Sequence, residues 1–164
     1  MSVKINTENQ LGVISSEDWM KRALKLAVRS FDMDEVPIGC IIVHDNKIIG
    51  QGYNQCESLN DATAHAEMIA ITAASSTLDT WRLNECSIYV TKEPCSMCAG
   101  AIVNSRIEKV YFGCYDTELG ACGSKFEICG NPNSATPSVV KGGILEYESL
   151  SLIQEYFTTK RKGK

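Results

Sequence analysis

The 164-residue chain has no apolar run long enough to cross a bilayer, no internal repeat, no excess of positive charge, and only two histidines, His44 and His65. A membrane-spanning helix needs about 20 consecutive apolar residues. The longest apolar stretch here, around Ile38–Val43, reads as a buried strand, so no membrane partner is expected. The first ten residues, Met1 to Gln10, lack the apolar core of a secretory signal, and a cytoplasmic location is expected. No linker divides the chain, so a single domain over 1–164 is expected, large enough to bury a core without disulfide staples. Lys and Arg number 16 against 20 Asp and Glu, and the net charge of −4 argues against indiscriminate nucleic-acid binding. A local basic patch is still allowed. The tail Lys160-Arg161-Lys162-Gly163-Lys164 concentrates such charge, although a solvated terminus is the plain reading of that composition.

What is present is a globular balance, 44% hydrophobic and 22% charged, with eight cysteines. Only Cys95 and Cys98 stand at metal-ligand spacing. Cys40, Cys56, Cys86, Cys114, Cys122 and Cys129 are scattered, several inside apolar runs, and read as small buried hydrophobes with free thiols.

Local patterns outline the elements. Ser15 or Ser16 can cap a helix with Glu17 and Asp18 in its first turn, the sign that the helix dipole favours. Trp19, Met20, Ala23, Leu24, Ala27, Val28 and Phe31 then recur at helical spacing. Gly39–Val43 and Ile48–Asn54 read as a hairpin around Asp45-Asn46-Lys47. Gln55–Ala62 reads as a polar loop. A helix is expected from near Thr63 through Ala74, a strand at Ser87–Thr91, and a helix at Ser96–Asn104. A strand follows at Val110–Gly113, then a short one at Val139–Lys141 and a last helix from about Leu145 to Lys160. Helices alternating with strands, the first two of which pair as a hairpin, imply an α/β sandwich with a mixed sheet.

Chemistry concentrates in two motifs, Thr63-Ala64-His65-Ala66-Glu67 and Pro94-Cys95-Ser96-Met97-Cys98. They offer one imidazole, two thiolates and a carboxylate. Three protein ligands (His65, Cys95 and Cys98) leave one corner of a tetrahedral zinc open, which marks a catalytic rather than a structural site. A closed site would need a fourth ligand, with Cys86 or Cys122 the available thiols, and would have no use for Glu67. Cys95 and Cys98, at i and i+3, share a face in the first turn of a helix, whose exposed amides favour thiolate. His65 and Glu67, at i and i+2, converge only near a helix start, where Thr63 or Asp61 could cap. Glu67 then serves as proton carrier in a hydrolytic deamination. His44, beside a turn, reads as a surface residue.

Taken together, these motifs resemble the bacterial tRNA-specific adenosine deaminases of the cytidine deaminase superfamily. The likeness runs from about Trp19 to the end. It rests on Asp34–Gly39, Gly52-Tyr53-Asn54, Asp61–Glu67, Tyr89–Ile102, Ser105-Arg106-Ile107, Phe112–Asp116 and Gly120–Ser124. The resemblance implies a three-layer α/β/α sandwich with a five-stranded mixed sheet, a homodimer, and conversion of adenosine to inosine at the first anticodon position of tRNA. It implies that Asn54 hydrogen-bonds the extruded base, that Ala66 and Asp116 lie along the bound nucleotides, and that Phe157 and Arg161 approach the anticodon loop. Two positions depart from the pattern. Asn133–Pro137 stands where a His-Arg pair is usual, and Ala62 where proline is common. A free-base or nucleoside deaminase acting on guanine or cytosine, and a non-catalytic zinc-stabilised nucleic-acid-binding module, remain as alternatives.

Overall fold

The structure, a computed structural model, describes residues 13–162. The polar start and the final Gly163-Lys164, on which two expectations rest, lie outside the described residues. The chain first forms α1 (Ser16–Asp32), β1 (Gly39–His44), β2 (Lys47–Tyr53), a single turn α2 (Cys56–Leu59) and α3 (Ala66–Leu78). It continues through β3 (Ser87–Lys92), α4 (Ser96–Asn104), β4 (Lys109–Cys114), β5 (Val139–Lys141) and α5 (Glu146–Lys162).

Helix α1 starts as its sequence dictates. Ser15 is the N-cap, and its side chain and that of Asp18 bond reciprocally to each other's backbone amides, forming a capping box. Its buried stripe is Trp19, Met20, Ala23, Ala27 and Ser30; Val28, expected on that face, points to solvent. Ser30 is buried in its place because its hydroxyl donates to the carbonyls of Val36 and Asn54. Asp45 and Asn46 turn the β1–β2 hairpin with positive φ, the conformation that short hairpin loops demand.

The five strands form one mixed sheet in the order β2-β1-β3-β4-β5. β1 is antiparallel to both neighbours, and β3, β4 and β5 are parallel. Alternation along the strands divides the core in two. Cys40, Ile42, Ile88, Val90, Val110 and Phe112 pack with Ala66, Ala70, Ala74, Ala99 and Ile102 of α3 and α4. Ile41, Val43 and Tyr89 pack on the other face with Trp19, Met20 and Ala23 of α1 and with Ile144. Helix α5 lies on the α1 side, where its Tyr156 hydroxyl donates to the Asp34 carbonyl at 3.0 Å. The result is the expected α/β/α sandwich.

Three expectations need correction. The Gln55–Ala62 segment contains α2, and neither Thr63 nor Asp61 caps α3. His65 itself occupies that N-cap, and the Asp61 carboxylate instead accepts from the amide and hydroxyl of Thr63, closing a local turn. His44 is only 24% exposed in its side chain and lies between Asp45 and Glu85. Among the other six cysteines, five are buried, Cys56 is half-buried, and all are free.

Candidate metal centre and active site

Sheet topology brings the two motifs together. β2 and β3 flank β1, and because each is antiparallel to it they run in the same direction. Helices α3 and α4, which follow them, therefore begin at one edge of the sheet. His65 is the N-cap of α3 and Cys95 the N-cap of α4, both with extended backbone. Cys98 lies one turn into α4 and is fully buried.

His65 Nδ1 lies 3.7 Å from Cys95 Sγ and 3.5 Å from Cys98 Sγ, and the three donor atoms all fall within 4.8 Å of one another. Tetrahedral zinc with ordinary Zn–S and Zn–N bonds holds its donors about 3.5–3.8 Å apart. The triangle therefore fits the ion. Its proton chemistry asks for one as well. The hydrogen bond from the Cys98 thiol, helped by His65, pulls Cys95 down to about 3 despite its partial burial. Cys98 is pushed upward by that same bond, by burial and by the charge of Glu67. The hydrogen bond to Cys95 also raises His65 above its ordinary value. Left to themselves, the two sulfurs share one proton; only a cation among them makes both thiolates. Cys86 and Cys122 are not part of the group, and Cys122 instead donates to Cys129 at 2.9 Å.

Glu67, the second residue of α3, is only 4% exposed. Burial raises its carboxyl above the usual range, and its charge acts on Cys98 and on Cys40 beneath. A carboxylate so placed is poised to take and return a proton.

The expected substrate contacts fare differently. Asn54 follows β2 and is buried, its Nδ2 donating to Glu35 at 3.2 Å and its Oδ1 accepting from the Cys56 thiol. Ala66 lies between His65 and Glu67, but its side chain is in the core, leaving only its main chain to meet a ligand. Asp116 has its carboxylate occupied. Oδ1 accepts from the amides of Glu118 and Leu119, and Oδ2 pairs with Lys92 at 2.5 Å. Burial opposes its ionisation, but these partners together hold it below the usual carboxylate range. Phe157 is exposed, edge-on to Tyr156, and lines a cleft with Met33, Asp34, Glu57, Ser58 and Lys160. Arg161 is exposed on the same helix and is not part of that cleft's lining.

Two residues with no expected role organise this edge of the sheet. Glu35, fully buried, accepts from Asn54 Nδ2 and from the amides of Glu57 and Ser58, so it fixes the Asn54 amide and starts α2. Glu93, buried immediately before Pro94, accepts from the amides of Asp116, Cys122 and Ser124 and from the Ser124 hydroxyl. It ties the 115–124 loop to the start of α4. Both are acidic residues beside otherwise apolar strand segments, the one sign of their role visible in the chain.

Comparison with known proteins agrees with this geometry. Residues 14–114 match the family model for the cytidine and deoxycytidylate deaminase zinc-binding region. The tRNA-specific adenosine deaminase of Bacillus subtilis is 40% identical over 148 residues, 90% of this chain and 92% of that protein. A chloroplastic tRNA(adenine(34)) deaminase of Arabidopsis thaliana is 42% identical over 86% of this chain, which spans only 12% of that longer protein. A solved structure from a study of A-to-I editing by tRNA:A34 deaminases is 39% identical and superposes with a TM-score of 0.77, covering 81% of this chain and 96% of the other. With the metal-binding triangle, the buried carboxylate and these similarities in place, the chain belongs to the cytidine and deoxycytidylate deaminase zinc-binding family and groups within it with the tRNA-specific adenosine deaminases.

Proposed function

We propose that this protein is a zinc-dependent hydrolase that converts adenosine to inosine at the first anticodon position of tRNA. The observation that carries the reading is the convergence of His65 Nδ1, two cysteine sulfurs and the buried Glu67 at paired helix starts. The roughly 40% identity to tRNA-specific adenosine deaminases along most of the chain supports the substrate.

His65, Cys95 and Cys98 are the residues that would hold zinc, which when bound supplies a Lewis acid that makes water nucleophilic near neutral pH. Glu67 takes the proton that the attacking water gives up and passes it to a purine ring nitrogen; it then takes the proton of the hydroxyl newly bonded to the purine carbon and delivers it to the departing amine, leaving the carbonyl of inosine. Adenosine and water thereby become inosine and ammonia, and the carboxylate ends as it began. Asn54, its amide fixed by Glu35, presents Oδ1 as an acceptor toward a base drawn out of its loop. A single-stranded anticodon loop makes that extrusion inexpensive compared with a duplex. Main-chain groups at Ala66 and the exposed Phe157 and Arg161 complete the proposed contacts. Among the described residues no helix is long and apolar enough to cross a membrane. We take the chain as a single domain in a cytoplasmic homodimer. The apolar groove of Leu59, Ala64, Met68 and Ile69 beside α3 supports the second copy.

Incubating the pure protein with total tRNA and sequencing for A-to-G changes tests the reading. Conversion at the first anticodon position is expected from the wild type. Glu67→Ala is expected to retain zinc and fold while losing at least about 10²–10⁴ in rate. Activity of that variant within a few-fold of wild type overturns the mechanism. Faster ammonia release from free guanine or cytosine than from tRNA overturns the substrate.

A further inference from the structure

Lys92 ends β3, three positions before Cys95. Side chains alternate along a strand, and Val90 belongs to the cluster beneath α3 and α4. Lys92 therefore stands on the face that carries the metal-binding triangle, at the edge where both helices begin. Its pairing with Asp116 is uneven, since the Lys92 side chain is 29% exposed and that of Asp116 only 10%. Asp116 is locked from three sides, by the amides of Glu118 and Leu119 on its carboxylate and by Glu93 on its own amide. An ammonium carries three N–H donors. One is spent on Asp116, and the others have no partner among the described residues. The catalytic scheme leaves them unused. Lys160, by contrast, faces Asp34 across the cleft between α1 and α5.

We propose that Lys92, held in place by Asp116, binds a phosphodiester oxygen beside the target nucleoside at the rim of the catalytic site. This deepens the RNA reading above and rests on it. In a chain with net negative charge, a single ammonium at this rim gives the substrate backbone a defined point of attachment. Asp116 then acts as a positioning residue for Lys92 beside the bound nucleotides.

The test uses an anticodon stem-loop RNA and Lys92→Met, Lys92→Arg and Asp116→Asn variants. RNA affinity is measured by fluorescence anisotropy in the Glu67→Ala background, and KM and kcat in the active enzyme, at several salt concentrations. Lys92→Met is expected to weaken RNA binding about tenfold, the worth of one charge-assisted hydrogen bond, with a much smaller change in kcat. It should also flatten the dependence of log affinity on log salt by about 0.7, as for one single-strand phosphate contact. Lys92→Arg is expected to restore the slope, and Asp116→Asn to weaken binding while keeping it. A wild-type salt slope in Lys92→Met overturns the proposal, as does matching loss of melting temperature in Lys92→Met and Asp116→Asn without a binding change. Flattening with adenosine 5′-monophosphate but not with RNA overturns the phosphodiester assignment. Absence of RNA deamination by the wild type counts against the proposed function alone, since the anisotropy slope still decides the role of Lys92.

Discussion

Glu93 devotes its carboxylate to one loop. Oε1 accepts from the amides of Cys122 and Ser124, and Oε2 from the Asp116 amide and the Ser124 hydroxyl. Even the isosteric Glu93→Gln is disruptive, because its NH2 must confront donors where an oxygen stood. Hydrogen bonds to a charged group are worth about 1.5–3 kcal/mol, and a buried donor left unpaired costs on a similar scale. Glu93→Gln should therefore destabilise the protein by roughly 2–4 kcal/mol, read as a lower denaturant midpoint with an unchanged m-value. The amides of Asp116, Cys122 and Ser124 should exchange hydrogen faster. Wild-type stability with unaltered exchange would show that these bonds do not hold the loop. The role of Glu93 was not legible in the sequence, although Glu93-Pro94-Cys95 was in plain view, because its partners lie 23 to 31 residues downstream in a loop without periodicity. The three metal-binding residues were legible because their spacing within each helix start is itself the chemical requirement.

At the scale of elements, the position of the metal site depends on how closely α3 approaches β2. Gly50 and Gly52 face Ala66, Ala70 and Ala74, and a Cβ on Gly52 would lie 2.4 Å from the Ala66 carbonyl oxygen. Backbone that close cannot yield by rotating a side chain. Gly52→Val must push the start of α3 outward, and with it His65 and Glu67. Overpacking of this kind typically costs about 1–3 kcal/mol. A lower melting temperature together with weaker zinc retention is the expected result; a fall in melting temperature alone would mean that α3 tilts elsewhere and spares the site. Element boundaries set by local chemistry were readable in advance, as at the Ser15–Asp18 capping box of α1 and in the range of α4. Helix α2 was not, since its single turn is started by Glu35 from 22 and 23 residues away. Beyond the β1–β2 hairpin, the strand order β2-β1-β3-β4-β5 was equally hidden, because the remaining pairing partners are chosen by tertiary packing of faces that look alike in sequence.

Across the whole molecule, the metal-binding group joins two helices whose first ligands are 30 residues apart, with β1 lying between the strands that precede them. Cys95 and Cys98 form one local bite, but His65 comes from the other helix, so a bound ion bridges α3 to α4. The unfolded chain keeps only the two-cysteine bite and binds zinc far more weakly. Zinc should accordingly stabilise the fold by mass action, about 2.7 kcal/mol at a free concentration one hundred times the dissociation constant. For a chain of this size that corresponds to roughly 5–10 °C in melting temperature. Removing zinc with a chelator should lower the melting temperature of the wild type by that order, and adding zinc back should restore it. Cys98→Ser breaks the local bite and should melt at or below the chelated wild-type value, with no response to either treatment and less than one zinc per chain. An equal chelator shift in Cys98→Ser would place the stabilising ion elsewhere. A wild type indifferent to chelation, with its zinc shown to be gone, would mean that the sheet and its alanine-lined helix contacts hold the two helix starts together unaided.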